Sequence, residues 1–366
     1  MKTANLSAPS QPSRSLAKYG YLLGAAALLG ASWAVVRSQT AKVEREHPPT
    51  GEFITVDGIR LHYISQGEGP VVVLLHGNAV IAEDFRNSGL IEQLAQDHRV
   101  IAFDRPGFGY SDRPRTTVWT PAAQARLLAA ALQRLGIEQA VVLAHSWATL
   151  VALAMAREAP QLVSGLVLAS GYYYPSVRLD VLTSTPAIPL IGDVLRYTLS
   201  PLLGRLMWPL AVKRAFAPAP VPESFRRMPP WMALRPGQLR AEAAETAMMI
   251  PSAAALRAHY PELTVPVAII SGDADGIADA WHNSVHLNRE IAGSALILVP
   301  GAGHMIQHLA PDALAAALRQ VEGQSLGQAD NQAEQADQSD TRAGGGQWAP
   351  DGATSGVPAS PGASLH

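Results

Sequence analysis

The sequence predicts an α/β fold built on a mostly parallel sheet with helices on both faces. Three observations carry that expectation. Short apolar runs alternate with helical patterns through the middle of the chain. One such run, Ala140 to Ala144, leads through a single hydroxyl residue, Ser146, straight into helix-forming residues from Ala148 to Ala156. Asn78, Ser146, Asp275 and His304 all lie just past the ends of predicted strands. In open parallel sheets sites gather at those ends.

Taken in order, Phe53–Val56 and Ile59–Ser65 read as strands joined by Asp57-Gly58, a hairpin turn signal. Val71–Leu75 is continuously apolar, as a strand buried on both faces must be, and ends in His76-Gly77-Asn78. Ile81–Asp97 reads as a helix with Phe85, Leu90, Ile91 and Leu94 inward. Val100–Phe103 is the next strand, followed by the turn-rich loop Asp104 to Asp112. A helix over Pro121–Leu135 precedes the stretch around Ser146. Gly165–Ala169, Val267–Ser271 and Ala295–Val299 are the remaining strands, and Ala310–Val321 is a closing helix.

Ala144 and Ala148 lie two places either side of Ser146. A tight strand-to-helix turn strains the serine backbone and tolerates only small neighbours there. Glycine is usual at both places; this chain has alanine. Such a turn lifts the hydroxyl above the strand ends and leaves the Trp147 amide at a helix start. A plain N-cap serine would look the same locally, so partners elsewhere must decide.

The chain has 366 residues, a formal net charge of −2 and no cysteine. That balance offers no field to recruit nucleic acid. The missing thiols exclude cysteine catalysis, thiolate metal sites and disulfides. After a polar segment, residues 1–18, the run 19–36 is uncharged and rich in alanine and leucine. As a helix it spans ~27 Å, close to the ~30 Å hydrocarbon core of a bilayer. Tyr19, Tyr21 and Trp33 near its ends suit the interface. The preferred reading is an uncleaved transmembrane anchor, with the folded domain outside the cytoplasm at a bacterial inner membrane. A cleaved signal peptide, cut after Ala34 and leaving a secreted or periplasmic protein, comes second, and a buried soluble helix third. Residues 37–50 read as a linker and residues 51–322 as the folded domain. Residues 323–366 have few large apolar groups and are expected to be disordered.

With these motifs in order, the chain resembles the α/β-hydrolase superfamily over roughly residues 51–322. The features are His76-Gly77-Asn78, the loop Asp104 to Ser111, the turn around Ser146, then Asp275 and His304. Their order, Ser, Asp, His, is that of the family. The resemblance implies an eight-stranded sheet and a Ser146–His304–Asp275 triad. His304 would be the base that activates a poor nucleophile, and Asp275 would hold its tautomer. The amides of Asn78 and Trp147 would form the oxyanion hole. No metal or organic cofactor is needed. The resemblance prefers Asp275 over Asp273 as the acid and His304 over His308 as the base. His76, His145 and Asp104 are expected to be structural. Asn78 and Trp147 are also similar to the halide-holding pair of haloalkane dehalogenases. That family attacks with aspartate, so Ser146 argues against carbon–halogen displacement and the related opening of epoxides.

The stretch from Gly171 to Thr264 is too long for a simple crossover and reads as a helical cap over about 176–247. Its close prolines predict short, kinked helices, and its apolar residues suggest a hydrophobic pocket or a surface near the membrane. The expected activity is hydrolysis of esters or related acyl compounds of hydrophobic character. The expected partners are a small acyl substrate and a membrane reached through the N-terminal helix; nothing in the sequence speaks to an oligomeric state. Carbon–carbon or amide hydrolysis and acyl transfer use the same triad. From other classes, the alternatives are a catalytically silent binder and an anchored interaction protein using the polar tail.

Overall fold

The computed structural model describes residues 14–176 and 184–344, with side chains over 18–176 and 184–328. It divides into two units, Met1–Ser325 and Leu326–His366. The first holds one eight-stranded sheet in the order β1-β2-β4-β3-β5-β6-β7-β8. The strands are β1 (Glu52–Val56), β2 (Ile59–Gln66), β3 (Val71–Leu75), β4 (Arg99–Phe103), β5 (Ala140–His145), β6 (Val163–Ala169), β7 (Val267–Gly272) and β8 (Ala295–Val299). β2 pairs antiparallel with β1 and β4, and every other pairing is parallel. In the β1–β2 hairpin both turn residues, Asp57 and Gly58, take positive φ, as a two-residue turn matching strand twist requires.

The continuous apolar runs are explained by the two cores they serve. Successive side chains of β3 alternate faces. Val73 and Leu75 enter one core with Leu128, Leu132 and Leu150; Val72 and Leu74 enter the other with Phe85, Leu314 and Leu318. The first core is covered by α4 (Pro121–Arg134) and α5 (Ala148–Glu158). Thr120 caps α4, its hydroxyl accepting from the Ala123 amide at 3.2 Å.

Four expectations need correction. The single helix over Ile81–Asp97 is two helices, α2 (Glu83–Asn87) and α3 (Leu90–Leu94). Gly89, at φ 84°, breaks it, because that backbone conformation cannot continue a helix. At the N-terminus, α1 runs Arg14–Glu46, so most of the expected linker is helical. Val43 gains burial by packing with Ile81 and Met232, which stabilises the added turns. The closing helix α13 runs Pro311–Gly344 and makes the polar tail helical well beyond Gly323. Alanine, glutamine and glutamate there favour helix even without a core to bury; residues 345–366 lie outside the described residues. The expected shortness holds for only three of the five cap helices, while the other two run long through an internal proline. The cap comprises α6 (Ile191–Tyr197), α7 (Leu199–Phe216), α8 (Glu223–Arg226), α9 (Pro230–Ala233) and the start of α10 (Pro236–Arg257). Pro209 lies within α7 and Pro251 within α10. The later half of α10 carries Met249, Ala253 and Leu256 into the first core. The expected cap residues 177–183 lie outside the described residues. Two short helices, α11 (His286–Glu290) and α12 (Ile306–Leu309), precede and follow β8 in the chain.

Candidate active site

β5 is buried along its whole length and delivers Ser146 at φ 57°. That left-handed backbone is costly for a residue with a side chain and persists only where packing over-determines it. Here Ala144 and Ala148 are fully buried on either side, and the Ser146 amide donates to Ala169 O at 2.8 Å. Gly77 passes so close that a Cβ would stand 2.9 Å from both Ser146 Cβ and His145 Nδ1. The glycine is therefore required by the approach of the two loops.

The structure brings Ser146, His304 and Asp275 together. His304 Nε2 lies 2.9 Å from Ser146 Oγ, and His304 Nδ1 lies 2.8 Å from Asp275 Oδ2. Asp275 Oδ1 accepts from the amides of Ile277 (2.8 Å) and Ala278 (2.9 Å). Burial works to raise the pKa of Asp275, but the facing His304 and these amides hold it below the usual carboxylate value. A carboxylate so fixed accepts from Nδ1–H and leaves Nε2 free to take a proton from the hydroxyl. Ser146 keeps some exposure, while His304 and Asp275 are buried.

Asn78 and Trp147 flank Ser146 on the wall of a cavity of about 230 Å³. Among the described residues neither backbone amide donates to a group of the chain, so both are free for an incoming oxygen. The rest of the lining is mainly apolar, with Trp208, Val212, Phe225 and Met305 on the cap and His304-loop side.

The residues expected to be structural have other partners. Asp273 Oδ1 accepts from the Gly301 amide at 2.7 Å and does not reach His304. His308 Nε2 pairs with Asp84 Oδ1 at 2.9 Å and its Nδ1 with Ser224 Oγ at 2.9 Å. Asp104 binds His62 Nδ1 and accepts from the Ala82 and Tyr110 amides. Gly109 sits where a Cβ would collide with that carboxyl, at φ 50°. His76 and His145 are both pushed down to about 3, by burial first and by the neighbouring Arg105 and His304 respectively. They are neutral, and each braces backbone. His76 Nε2 accepts from the Arg105 amide at 3.0 Å, and His145 Nε2 donates to His304 O at 3.0 Å.

A network that no motif announces ties the cap to this site. Arg105 is fully buried and donates through Nη1 to both oxygens of Glu245, at 2.9 and 2.8 Å. Its Nε donates to His76 O and its Nη2 to Gly77 O and Asn78 Oδ1. Glu245 also accepts from Arg113 and Gln124, and its carbonyl accepts from the Trp147 indole at 3.1 Å. One helical turn earlier, Glu242 faces the cavity without an ion-pair partner among the described residues. Burial and the nearby charge of Glu245 push its pKa up to about 7. Arg105 belongs to the loop read from sequence. Glu245 is 140 residues away, in a cap whose fold the sequence does not spell out.

The sequence model of the α/β hydrolase fold matches residues 70–311, and the chain belongs to that family. It is similar to haloalkane dehalogenase 2 of Mycobacterium tuberculosis (strain ATCC 25618 / H37Rv), 28% identical over 270 residues, covering 71% of this chain and 90% of the relative. Among solved structures it resembles an α/β hydrolase fold protein from Burkholderia ambifaria, with TM-score 0.63 and 26% identity over 73% of this chain and 96% of that one. It shares its fold with a thermophilic esterase from Thermogutta terrifontis, at TM-score 0.61 and 23% identity, covering 75% of this chain and 99% of the esterase.

Proposed function

We propose that this hydrolase cleaves carboxylic esters of hydrophobic character through an acyl-enzyme formed on Ser146. The observation that carries the reading is the Oγ–Nε2 distance of 2.9 Å, with Nδ1 of the same imidazole on Asp275. In the first step Ser146 Oγ bonds to the ester carbonyl carbon and its proton passes to His304 Nε2. Asp275 stabilises the imidazolium without taking the proton. The carbonyl oxygen gathers charge and accepts from the amides of Asn78 and Trp147, a contribution of about 3 kcal/mol per donor in comparable sites. As the carbon–oxygen bond to the alcohol breaks, His304 returns the proton to the leaving oxygen. Water repeats the sequence on the acyl-enzyme and releases the acid.

A relative carries the name haloalkane dehalogenase, but Ser146 argues against that chemistry here. Displacing halide with a serine oxygen leaves an alkyl ether, which has no carbonyl for water to attack. The mainly apolar lining supports an acyl or alkyl chain as the bound group.

Among the described residues one helix is long and apolar enough to cross a membrane, with its apolar window almost wholly exposed. We read it as an anchor that holds the domain outside the cytoplasm at a bacterial inner membrane. Retention of the full chain in carbonate-washed membranes is the expected result; a soluble chain beginning near residue 35 would favour signal cleavage.

The test of the activity is turnover of p-nitrophenyl esters from acetate to palmitate, wild type beside Ser146→Ala. Turnover that vanishes in the variant, with an optimum at medium or long chains, supports the reading. Failure of a fluorophosphonate to label Ser146 in the folded full chain overturns it.

A further inference from the structure

The outer face of the cap is apolar where a water-facing surface should be polar. On α7, Leu203, Leu206, Met207 and Leu210 fall at helical i, i+3, i+4, i+7 spacing and are 51–75% exposed. Beside them Leu190, Ile191, Val194 and Tyr197, at and in α6, are 44–79% exposed. Scattered apolar residues are ordinary on a surface, but a continuous face of this kind marks an interaction site.

The position of α1 says what covers it. α1 runs beside α6, α7 and α9. Its lower part is seated on the domain through Val36 and Val43, and Glu44 pairs with Arg235 at 3.2 Å. Its upper part, from Tyr19 to Leu28, leaves the domain exposed and apolar. The surface from which it projects must then lie against the lipid. The charges agree. α7 carries Arg205, Lys213 and Arg214, all exposed, and no acidic residue, while Arg37 on α1 lies over the Trp33 ring at the same end. Cations flanking an apolar stripe suit anionic headgroups.

We propose that the α6–α7 face is seated in the headgroup and upper acyl region of the bilayer that α1 spans. The partner is a phospholipid surface. Trp208 and Val212 on the opposite side of α7 line the cavity that holds Ser146, and the exposed Ala211 lies on both the cavity wall and the outer surface. One helix therefore separates lipid from the site, and a hydrophobic ester reaches Ser146 without crossing bulk water. This proposal rests on the reading of α1 as an anchor.

The chain has no cysteine, so Leu206→Cys introduces its only thiol. The full chain, labelled there with an environment-sensitive fluorophore, is reconstituted into phosphatidylcholine–phosphatidylglycerol vesicles. Blue-shifted emission, quenched by lipids brominated near the headgroup end of the acyl chain, is the expected result. A label at Glu138→Cys, exposed before β5 at the end of that strand opposite Ser146, should stay aqueous. Vesicle retention with an aqueous label at 206 overturns the cap proposal and leaves the anchor standing. Loss from carbonate-washed vesicles overturns both. Energy transfer between labelled copies without lipid quenching assigns the face to a second copy and also overturns the proposal.

Discussion

Replacing Glu245 with glutamine removes the carboxylate that neutralises a fully buried guanidinium. Arg105 and Glu245 are both 0% exposed and share two bonds of 2.8–2.9 Å, so neither charge can turn to water when its partner is lost. Breaking such a pair from one side costs about 3–5 kcal/mol. Two features of this site pull the value toward the lower end. Arg105 retains His76 O, Gly77 O and Asn78 Oδ1 as acceptors. Burial first, and then the charge of Glu245, raise the Glu242 pKa to about 7, so Glu242 ionises more fully at neutral pH once that charge is gone. Glu245→Gln should therefore lose about 3 kcal/mol in urea denaturation at pH 7. The paired change Arg105→Met with Glu245→Leu should cost less than the sum of the single changes, since it removes both members of the most buried pair and leaves only Arg113, which keeps the Pro106 carbonyl, without its carboxylate. A single-variant loss under about 1 kcal/mol, or a double variant as harmful as the sum of its parts, would refute the argument.

Other substitutions test the relay and the packing around it. Asp275→Asn should lower kcat by about 10⁴, from loss of the correct tautomer, whereas Asp273→Asn, which loses only the Gly301 contact, should stay within about twofold; the reverse result would move the acid to Asp273. Glu242 has a folded pKa raised from 4.5 to about 7, so its contribution to stability is full below 4.5 and is lost as pH rises through 7. Glu242→Gln should remove that slope and be about 2 kcal/mol more stable than wild type at pH 8, allowing for water at the cavity mouth; parallel pH–stability curves would contradict it. Gly77→Ala should cost about 1–3 kcal/mol and reduce turnover, because its methyl meets Ser146 and His145 at 2.9 Å; an unchanged melting temperature and rate would show that the loops can part.

Much of this protein could be read before its fold was known, because the signals are local. Continuous apolar runs mark strands buried on both faces, and all eight lie where such runs or the hairpin signal placed them. Ser146 and His304 stand out because a strand end, a turn and a single side chain coincide in sequence, whereas Asp273 and Asp275 both follow the same strand. Glycine at 89 already carried the signal that splits the helix after β3, and periodicity alone overrode it. The helical extension of α1 to Glu46 depends on Met232 and Ile81, which are distant in the chain, so no window around Val43 contains its cause.

By itself, then, the amino-acid order determined the layered sheet, the strained turn at Ser146 and the apolar length of α1, all consequences of short-range sterics and the period of hydrophobic residues. Only tertiary structure decided that Asp275 and not Asp273 faces His304, and that Glu245 neutralises Arg105 behind Asn78. It alone turned the second apolar face of α7 outward beside α1. Those choices depend on which distant groups share one buried volume, where each charge must find its partner because water cannot supply one.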